Sequence, residues 1–432
     1  MVEVRAEEEK KVKCLLVAPP AQKNDSTGGE PKELKDLVKT LGFETLDTII
    51  LNRIEANATY GIGTGKTLEI VNRAKEIFAD CIIFDFEIQA SKQRNWEKLA
   101  EIPVFDRNEV IIKIFAQRAQ TKEASLQVEL AKLIYSLPRL RHTYGELARQ
   151  RGGSYGAKGS GETQLELDRR QIEDKIVEIK RELKQVAVNR ETQRKQRERT
   201  STQTCALVGY TNAGKSSLLN ALTGANVFVE DKLFATLDPT TRKLALAEGS
   251  SVLITDTVGF ISNLPHTLID AFKSTLEESA LANLLLIVVD SSDSECVKQY
   301  SQVMKVLQEI NAQDIQKLVI LNKFDKIENS PEIVSMLNAN FPDAIYVSTK
   351  TQFGFEKLLE LITEKLLGSL KKYSVPLEKS YLVELLRKNG TIEKEEWLEN
   401  SVELEARIPG SLDKDGKANT RTLALLKDFQ VG

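Results

Sequence analysis

Residues 209–216 read Gly209-Tyr210-Thr211-Asn212-Ala213-Gly214-Lys215-Ser216 and match G-x-x-x-x-G-K-S, the phosphate-binding loop of nucleotide hydrolases. An apolar run at 205–208 predicts a strand before this loop, and an amphipathic run at 217–222 predicts a helix after it. Glycines let the backbone wrap closely enough for its amides to point at a polyphosphate, and the start of the helix adds positive potential. The stretch therefore predicts an α/β domain that binds a nucleotide.

Magnesium and phosphate ligands follow from the same pattern. We expect Lys215 to neutralise β- and γ-phosphate oxygens and the Ser216 hydroxyl to hold Mg²⁺. A second motif, Asp256-Thr257-Val258-Gly259, follows the apolar run 252–254. We expect Asp256 to hold the ion through water and Gly259 to offer its amide to the γ-phosphate.

The base that the nucleotide carries is predicted by a third motif, Asn322-Lys323-Phe324-Asp325, which follows the apolar run 318–321. The Asp325 carboxylate can accept hydrogen bonds from the ring N–H and the amino group of guanine, which adenine cannot supply, so ATP would leave a carboxylate unpaired. We expect Asn322 to bond the base and the Lys323 stem to cover it. Ser348-Thr349-Lys350 would offer a further backbone amide. The sequence thus predicts a magnesium-dependent hydrolase of GTP to GDP and phosphate.

A switch segment is expected between the first two motifs, where the chain reads Phe234-Ala235-Thr236-Leu237-Asp238 and continues to Arg242. A threonine there must close over Mg²⁺ when the γ-phosphate is present. Our choice is Thr236, with Thr240 as the alternative, and we assign catalytic roles to Lys215, Thr236 and Gly259.

Two residues bear on the rate of hydrolysis. Phe260 follows Gly259, where Ras-like GTPases carry a glutamine that orients the attacking water, and a phenyl ring cannot do this. Hydrolysis should therefore be slow without a partner. Asn212 has two interpretations: a ligand for K⁺, as in some GTPases that resemble this chain, or plain loop packing.

Composition limits the remaining possibilities. The chain has 432 residues, 41% hydrophobic and 28% charged, with a formal net charge of −3, so any surface for nucleic acid must be local. Its four cysteines have no C-x-x-C pairing and its amino terminus lacks a signal-peptide core, which favours the cytoplasm, with peripheral membrane association of a part left open. No apolar run is long enough for a membrane span.

Domain organisation follows from the order of the patterns, and we expect a multidomain α/β protein. Alternating apolar and amphipathic runs predict a parallel α/β domain at 1–120, followed by an antiparallel helical hairpin at 121–200, a GTPase domain with a mostly parallel sheet at 201–368 and a small α/β appendage at 369–432. In the appendage, 369–380 is interpreted as a linker, followed by a helix near 381–388 and a strand near 402–408.

The hairpin is predicted from helical spacing on both sides of a glycine-rich tip, 152–161. Before the tip, one long helix or two in series is expected, ended by Pro138, with apolar positions at Ile112, Phe115, Ala119, Leu126, Leu130, Leu133 and Leu137. After the tip, a coiled-coil seam runs through Ile172, Ile176, Ile179, Leu183 and Val186. Basic residues lie off this seam, namely Arg169, Arg170, Lys175, Lys180, Arg181 and Lys184.

The tip and the start of the second helix, Gly152-Gly153 with Gly159-Ser160-Gly161-Glu162-Thr163-Gln164-Leu165-Glu166-Leu167-Asp168-Arg169-Arg170, closely resemble the signature of the HflX family of Obg/HflX-like GTPases. The resemblance spans roughly five-sixths of the chain. It implies a monomeric GTPase that binds the large ribosomal subunit, both rRNA and protein, and separates stalled or idle ribosomes, which would stimulate its hydrolysis. Ser160 departs from the proline more common in the family, which would give a stiffer tip, so this departure bears on ribosome separation and not on binding.

Alternatives to ribosome separation remain at this point. A basic hairpin with a tip flanked by Arg139, Arg141, Arg149, Arg151 and Lys158 suits RNA, but the same charges could merely solvate a coiled coil. The protein could then be an RNA-binding module that GTP regulates, or a signalling GTPase with a protein partner. The loop 61–66 lacks phosphate-loop spacing and is interpreted as a turn, and His142 and His266 are assigned no chemistry.

Overall fold

The computed structural model describes residues 11–20, 30–53, 57–150, 160–198, 203–225, 233–246, 250–262, 279–409 and 420–431, but not the side chains of 141–165, 189–191, 193–198 and 420–421. The predictions for the glycine-rich tip, its flanking Arg141, Arg149, Arg151 and Lys158, and both histidines therefore lie outside the described residues. The chain divides into two compact units. Unit 1 consists of Met1–Thr192, Glu230–Asp238 and Asn263–Lys273, and unit 2 consists of the remainder. The four-part division at 1–120, 121–200, 201–368 and 369–432 stays a prediction.

The first sheet of unit 1 is parallel throughout, with the strand order β2-β1-β3-β4. Its strands are β1 (Lys13–Ala18), β2 (Glu44–Ile50), β3 (Cys81–Phe84) and β4 (Val104–Asp106), and its helices are α1 (Lys32–Thr40), α2 (Thr64–Glu76), α3 (Ala90–Ala100) and α4 (Arg107–Arg118). Strands β1 and β3 are almost entirely buried, because helices cover both faces of such a sheet. The predicted parallel α/β domain is confirmed, although the sequence analysis missed the three-residue β4.

Asp106 ties β4 to the helices around it. Its carboxylate accepts a hydrogen bond from the Glu109 amide at 2.9 Å, which caps α4. It also accepts from the Ile88 amide at 3.2 Å, the Tyr135 hydroxyl at 3.0 Å and Arg139 Nη2 at 3.3 Å. Asp106 is fully buried, so these partners replace the water that its charge would otherwise require.

Two long helices follow, α5 (Lys122–Gln150) and α6 (Ser160–Glu198). Ion pairs of 2.9 Å between Lys122 and Glu182 and of 2.5 Å between Glu129 and Lys175 link residues whose numbers rise on one helix as they fall on the other, so the hairpin is antiparallel. No helix in the described ranges is long and apolar enough to cross a membrane.

The prediction that Pro138 ends its helix is wrong, because α5 continues through it to Gln150. Proline in a helix interior removes one hydrogen bond and crowds the preceding turn, a cost of about 3 kcal/mol that tertiary contacts must offset. Tyr135 and Arg139, on either side of Pro138, both bond Asp106, and these contacts hold the helix together there.

The sheet of unit 2 that carries the three nucleotide motifs has the strand order β10-β9-β8-β5-β7-β6, and it is parallel except for the edge pair β6 and β7. The strands are β5 (Thr204–Gly209), β6 (Thr240–Ala245), β7 (Ser251–Asp256), β8 (Leu284–Asp290), β9 (Gln316–Asn322) and β10 (Ile345–Tyr346). The helices are α7 (Lys215–Thr223), α8 (Cys296–Glu309), α9 (Pro331–Asn340) and α10 (Phe355–Leu367). The central strands β5 and β8 are buried almost throughout. These packed strands position the loops at their carboxyl ends.

The last part of the chain forms an antiparallel sheet with the order β11-β13-β12. Its elements are β11 (Leu370–Pro376), α11 (Tyr381–Asn389), β12 (Thr391–Trp397), β13 (Ser401–Arg407) and α12 (Thr420–Leu426). The predicted helix and strand are confirmed, but the predicted linker at 369–380 is wrong because it contains β11. In β11, Tyr373 and Val375 are buried between charged and partly exposed neighbours, so its apolar alternation is too short to recognise.

Candidate nucleotide-binding site

The phosphate loop of unit 2 joins β5 to α7, as predicted. Gly209 and Gly214 lie at positive φ, 156° and 93°, where a side chain is disfavoured. A Cβ on Gly209 would lie 2.2 Å from the Val288 carbonyl oxygen of the neighbouring β8. Only glycine fits there without moving the backbone, and the loop can therefore pass close to the sheet.

Lys215 lies inside this loop and is buried. Its Nζ donates to the carbonyl oxygens of Gly209 at 3.2 Å and Tyr210 at 2.8 Å. Burial lowers the pKa of Lys215 from 10.5 to about 8, and the nearby charge of Asp256 opposes this shift. A partly desolvated ammonium held by neutral oxygens can neutralise an incoming anion strongly.

Ser216 and Asp256 meet at the start of α7. The Ser216 hydroxyl donates to Asp256 Oδ2 at 2.6 Å, and Asp256 is fully buried at the end of β7. The Thr257 hydroxyl donates to the Leu207 carbonyl oxygen at 2.7 Å and fixes the two strand ends together. Val258 is buried, and a Cβ on Gly259 would lie 2.9 Å from the Thr211 Cα atom, so this second motif runs against the phosphate loop.

The third motif also contacts the phosphate loop. Asn322 Nδ2 donates to the Ala213 carbonyl oxygen at 2.9 Å, and Lys323 Nζ donates to the Asn212 carbonyl oxygen at 2.8 Å. Asn212 and Lys323 both adopt positive φ, near 60°. The structure thus brings the predicted phosphate and base residues together on neighbouring strands.

Asp325 is held from the loop after β10. The Ser348 hydroxyl, buried, donates to Asp325 Oδ1 at 2.6 Å, so the carboxylate has a fixed orientation. Phe324 stacks on Phe353 with ring centroids 4.9 Å apart, which packs the motif from outside. Thr349 and Lys350 follow Ser348 in a turn, of which Lys350 is exposed. Asp325 is therefore oriented before any ligand arrives.

Residues that the sequence analysis missed support this site. Asp290, at the end of β8, forms an ion pair of 2.6 Å with Lys323, and the Ser291 hydroxyl donates to the Asn322 carbonyl oxygen at 2.6 Å. Ser262, which was also missed, donates its backbone amide to the hydroxyl of the predicted Tyr210 at 2.7 Å. The signal for Asp290 was available, because polar residues that end adjacent parallel strands meet at one edge of the sheet.

The predicted switch residues Phe234, Ala235, Thr236, Leu237 and Asp238 group with unit 1. There the Phe234 ring packs edge-on against Phe115 with centroids 4.6 Å apart, and Asp238 accepts from the backbone amides of Gln120 and Thr121, both at 3.3 Å. The predicted role of Thr236 at Mg²⁺ stays a prediction. Thr240, the alternative, begins β6 directly opposite Asp256 in unit 2.

Three family models match the chain in sequence order. A model described as GTP-binding GTPase N-terminal matches residues 30–116, the GTP-binding GTPase Middle Region matches 118–197, and the 50S ribosome-binding GTPase model matches 204–323. Together they match well over half of the chain.

Relatives with known names match over nearly the whole length. The GTPase HflX of Akkermansia muciniphila is 43% identical over 425 residues, which cover 95% of this chain and 97% of that relative. The GTPase HflX of Escherichia coli K12 is 40% identical and covers 88% of this chain and 89% of its own. Among solved structures, a GTP-binding protein from Sulfolobus solfataricus in complex with GDP aligns with a TM-score of 0.45 and 24% identity, covering 82% of this chain and 98% of its own.

Proposed function

Because this chain belongs to the HflX family of GTPases and hydrolyses GTP, we propose that its GTP-bound form binds the large ribosomal subunit and separates stalled or idle ribosomes. Hydrolysis to GDP and phosphate would then release it. Support for a ribosomal partner comes from the match of residues 204–323 to the 50S ribosome-binding GTPase model.

Within this proposal, one observation supports the nucleotide roles most strongly. Lys215 is buried with its ammonium among carbonyl oxygens and its pKa lowered to about 8, an arrangement that an anion would stabilise. In addition, two other side-chain atoms of this site, Thr211 Oγ1 and Asn322 Oδ1, are buried without a hydrogen-bond partner among the described residues. Unpaired buried polar atoms are costly, so a ligand that supplies partners fits here.

Magnesium fits the oxygen ligands present. Mg²⁺ prefers hard oxygen ligands, and the Ser216 hydroxyl already lies 2.6 Å from the carboxylate of the buried Asp256. We propose that Ser216 and Thr236 hold the ion directly and Asp256 holds it through water. When bound, Mg²⁺ neutralises charge on the β- and γ-phosphates.

Slow hydrolysis without the ribosome is part of the proposal. Phe260 is buried, and its backbone forms two hydrogen bonds with the phosphate loop. The Thr211 amide donates to the Phe260 carbonyl oxygen at 2.8 Å, and the Phe260 amide donates to the Gly209 carbonyl oxygen at 3.0 Å. A buried phenyl ring offers no polar atom to orient water. A group from the partner, or K⁺ held by Asn212, would have to supply this function.

A second candidate has its own support. Two of the basic residues predicted off the seam are paired within the hairpin, Lys175 with Glu129 and Arg169 with Glu173, and Lys122 likewise pairs with Glu182. Such pairs favour a solvated coiled coil and hence a regulatory or signalling GTPase that does not separate ribosomes. Steep loss of binding with rising salt concentration would favour RNA contacts, and weak salt dependence would favour a protein partner.

Light scattering of intact ribosomes tests the proposal. The chain with a non-hydrolysable GTP analogue should lower the scattering, whereas a deletion of residues 156–161 should not. Lys215→Ala should also fail, because it cannot neutralise the phosphates, while the exposed Lys357→Ala should act like the parent chain. Unchanged scattering with the parent chain, despite tight GTP binding, would overturn ribosome separation.

A further inference from the structure

Four large apolar side chains are exposed at one end of the three-stranded sheet. They are Leu377 (38% exposed), Tyr381 (59%), Trp397 (56%) and Leu398 (43%). We call these four residues the hairpin-end patch. Isolated exposed apolar residues are ordinary, but a group that includes two aromatic rings is typical of an interaction surface.

The backbone places the patch residues at the same end. Trp397 and Leu398 lie where β12 turns into β13, and the Leu377 amide donates to the Asn400 carbonyl oxygen of that turn at 3.3 Å. Tyr381 begins α11, just after β11 ends at Pro376, and Pro376 pairs with Ser401 beside the same turn. The four side chains therefore come from segments that meet at one turn.

Trp397 has a fixed orientation although it is exposed. Its indole Nε1 donates to Glu395 Oε1 at 2.6 Å, and Glu395 is itself held by Arg387 Nη2 at 2.8 Å. A pre-oriented aromatic side chain loses little entropy on binding, which suits it to anchor a partner.

Charge around the patch is acidic. Glu378, Glu384 and Glu399 are exposed, and their side chains form no hydrogen bond or ion pair with other described residues. Two cations of the adjoining segments are engaged: Arg387 pairs with Glu395, and Lys379 lies 4.8 Å from the ring centre of Phe429.

Two classes of partner could use exposed aromatic rings. Single-stranded RNA stacks its bases on such rings, but it needs cations along its phosphates, and glutamates would repel it. A protein segment rich in lysine and arginine matches both the apolar and the acidic parts of this surface.

We propose that the hairpin-end patch binds a lysine- and arginine-rich segment of a protein in the large ribosomal subunit, with an apolar residue seated between Tyr381 and Trp397. The ribosomal origin of the segment rests on the proposed function, whereas its chemistry rests on the patch alone. The carboxy-terminal sheet would thus recognise protein.

Tryptophan fluorescence tests the chemistry without ribosomes. The chain has two tryptophans, of which Trp96 is fully buried, so the difference between the chain and Trp397→Phe isolates the emission of Trp397. An amphipathic peptide of lysine and leucine should shift this emission to shorter wavelength, and Glu384→Lys with Glu399→Lys should weaken its binding about tenfold. A matched glutamate and leucine peptide and oligouridine RNA should cause no shift. A shift with the RNA, or none with the basic peptide, would overturn the proposal.

Photocrosslinking tests the ribosomal origin. A benzophenone amino acid at Leu398 should crosslink to a protein of isolated large subunits when a non-hydrolysable GTP analogue is present. The same group at Val431, which is 53% exposed in the same sheet region, should not. Crosslinks to rRNA, or none while the chain cosediments with subunits, would contradict the inference alone. If the parent chain does not bind subunits, the proposed function fails, and the peptide titration still decides whether the patch binds basic protein.

Discussion

A Cβ atom on Gly214 would lie 2.3 Å from Nδ2 of Asn322, the amide nitrogen that bonds the Ala213 carbonyl oxygen. The last glycine of the phosphate loop and the first residue of the base motif, distant in sequence, therefore occupy adjacent space. The loop predicted to hold the phosphates and the loop predicted to hold the base are therefore in direct contact.

Gly214→Ala should weaken GTP binding at least about tenfold, because the new methyl group must displace the Asn322 side chain. Gly224→Ala is the matched control: it also lies at positive φ, 65°, but its Cβ would meet nothing within 4 Å. It should cost only about 1 kcal/mol of stability and leave affinity unchanged. Calorimetric titration with GTP measures both, and equal losses of affinity would contradict the packing argument.

GTP affinity should fall between about pH 7 and about pH 9. Burial lowers the pKa of Lys215 to about 8 in the free chain, and bound phosphate favours the charged form and raises this pKa. Below the free pKa the lysine is already protonated and affinity is constant. Above it, binding requires proton uptake, so affinity should be about tenfold lower at pH 9. The profile should persist in Lys357→Ala, and a flat profile in the parent chain would show that Lys215 is not the group involved.

Asp325→Asn should change the preferred base. The carboxylate that Ser348 orients would become an amide, which cannot accept from both guanine donors, and GTP affinity should fall about 100-fold. Xanthine carries a carbonyl in place of the amino group, so its triphosphate should bind the variant better than GTP does. Competition binding measures the preference, with the exposed Asp343→Asn as control. Retained preference for guanine would move base recognition elsewhere.

Asp106→Ala should destabilise the first sheet by about 3–5 kcal/mol, because it leaves Arg139 and three other donors without their buried acceptor. Asp47→Ala, which breaks a partly exposed ion pair with Arg73, should cost no more than about 1 kcal/mol. Hydrogen exchange of the β3 amides reports the difference. Similar protection in both variants would show that the buried carboxylate is not what holds the helices on the sheet.

The nucleotide region is largely predictable from sequence because its geometry is encoded locally. The glycines, the flanking strand and the following helix of the phosphate loop all lie within about 20 residues, and each motif directly follows its own apolar strand. The position of Asp290 at the end of a buried strand could have been recognised, but its specific partner could not, because Lys323 reaches it only after β8 and β9 pair.

Elsewhere, tertiary contacts override local signals. Pro138 predicts a helix end, yet bonds from Tyr135 and Arg139 to Asp106 keep α5 continuous. Strand β12 carries mostly charged residues and is recognisable only through its pairing with β13. Such elements form because of distant partners, which no local window of sequence contains.

The position of Phe234 limits how this protein can be divided or recombined. Leu233 and Phe234 are buried in unit 1, although the chain on both sides of their segment belongs to unit 2. The Leu233 amide donates to the Thr40 hydroxyl at 3.2 Å, and the Phe234 ring packs on Phe115. A fragment beginning at residue 203 would carry both side chains without their partners. Grafting an amino-terminal region from a relative would therefore require Phe115 and Phe234 to be exchanged together, because their rings pack against each other.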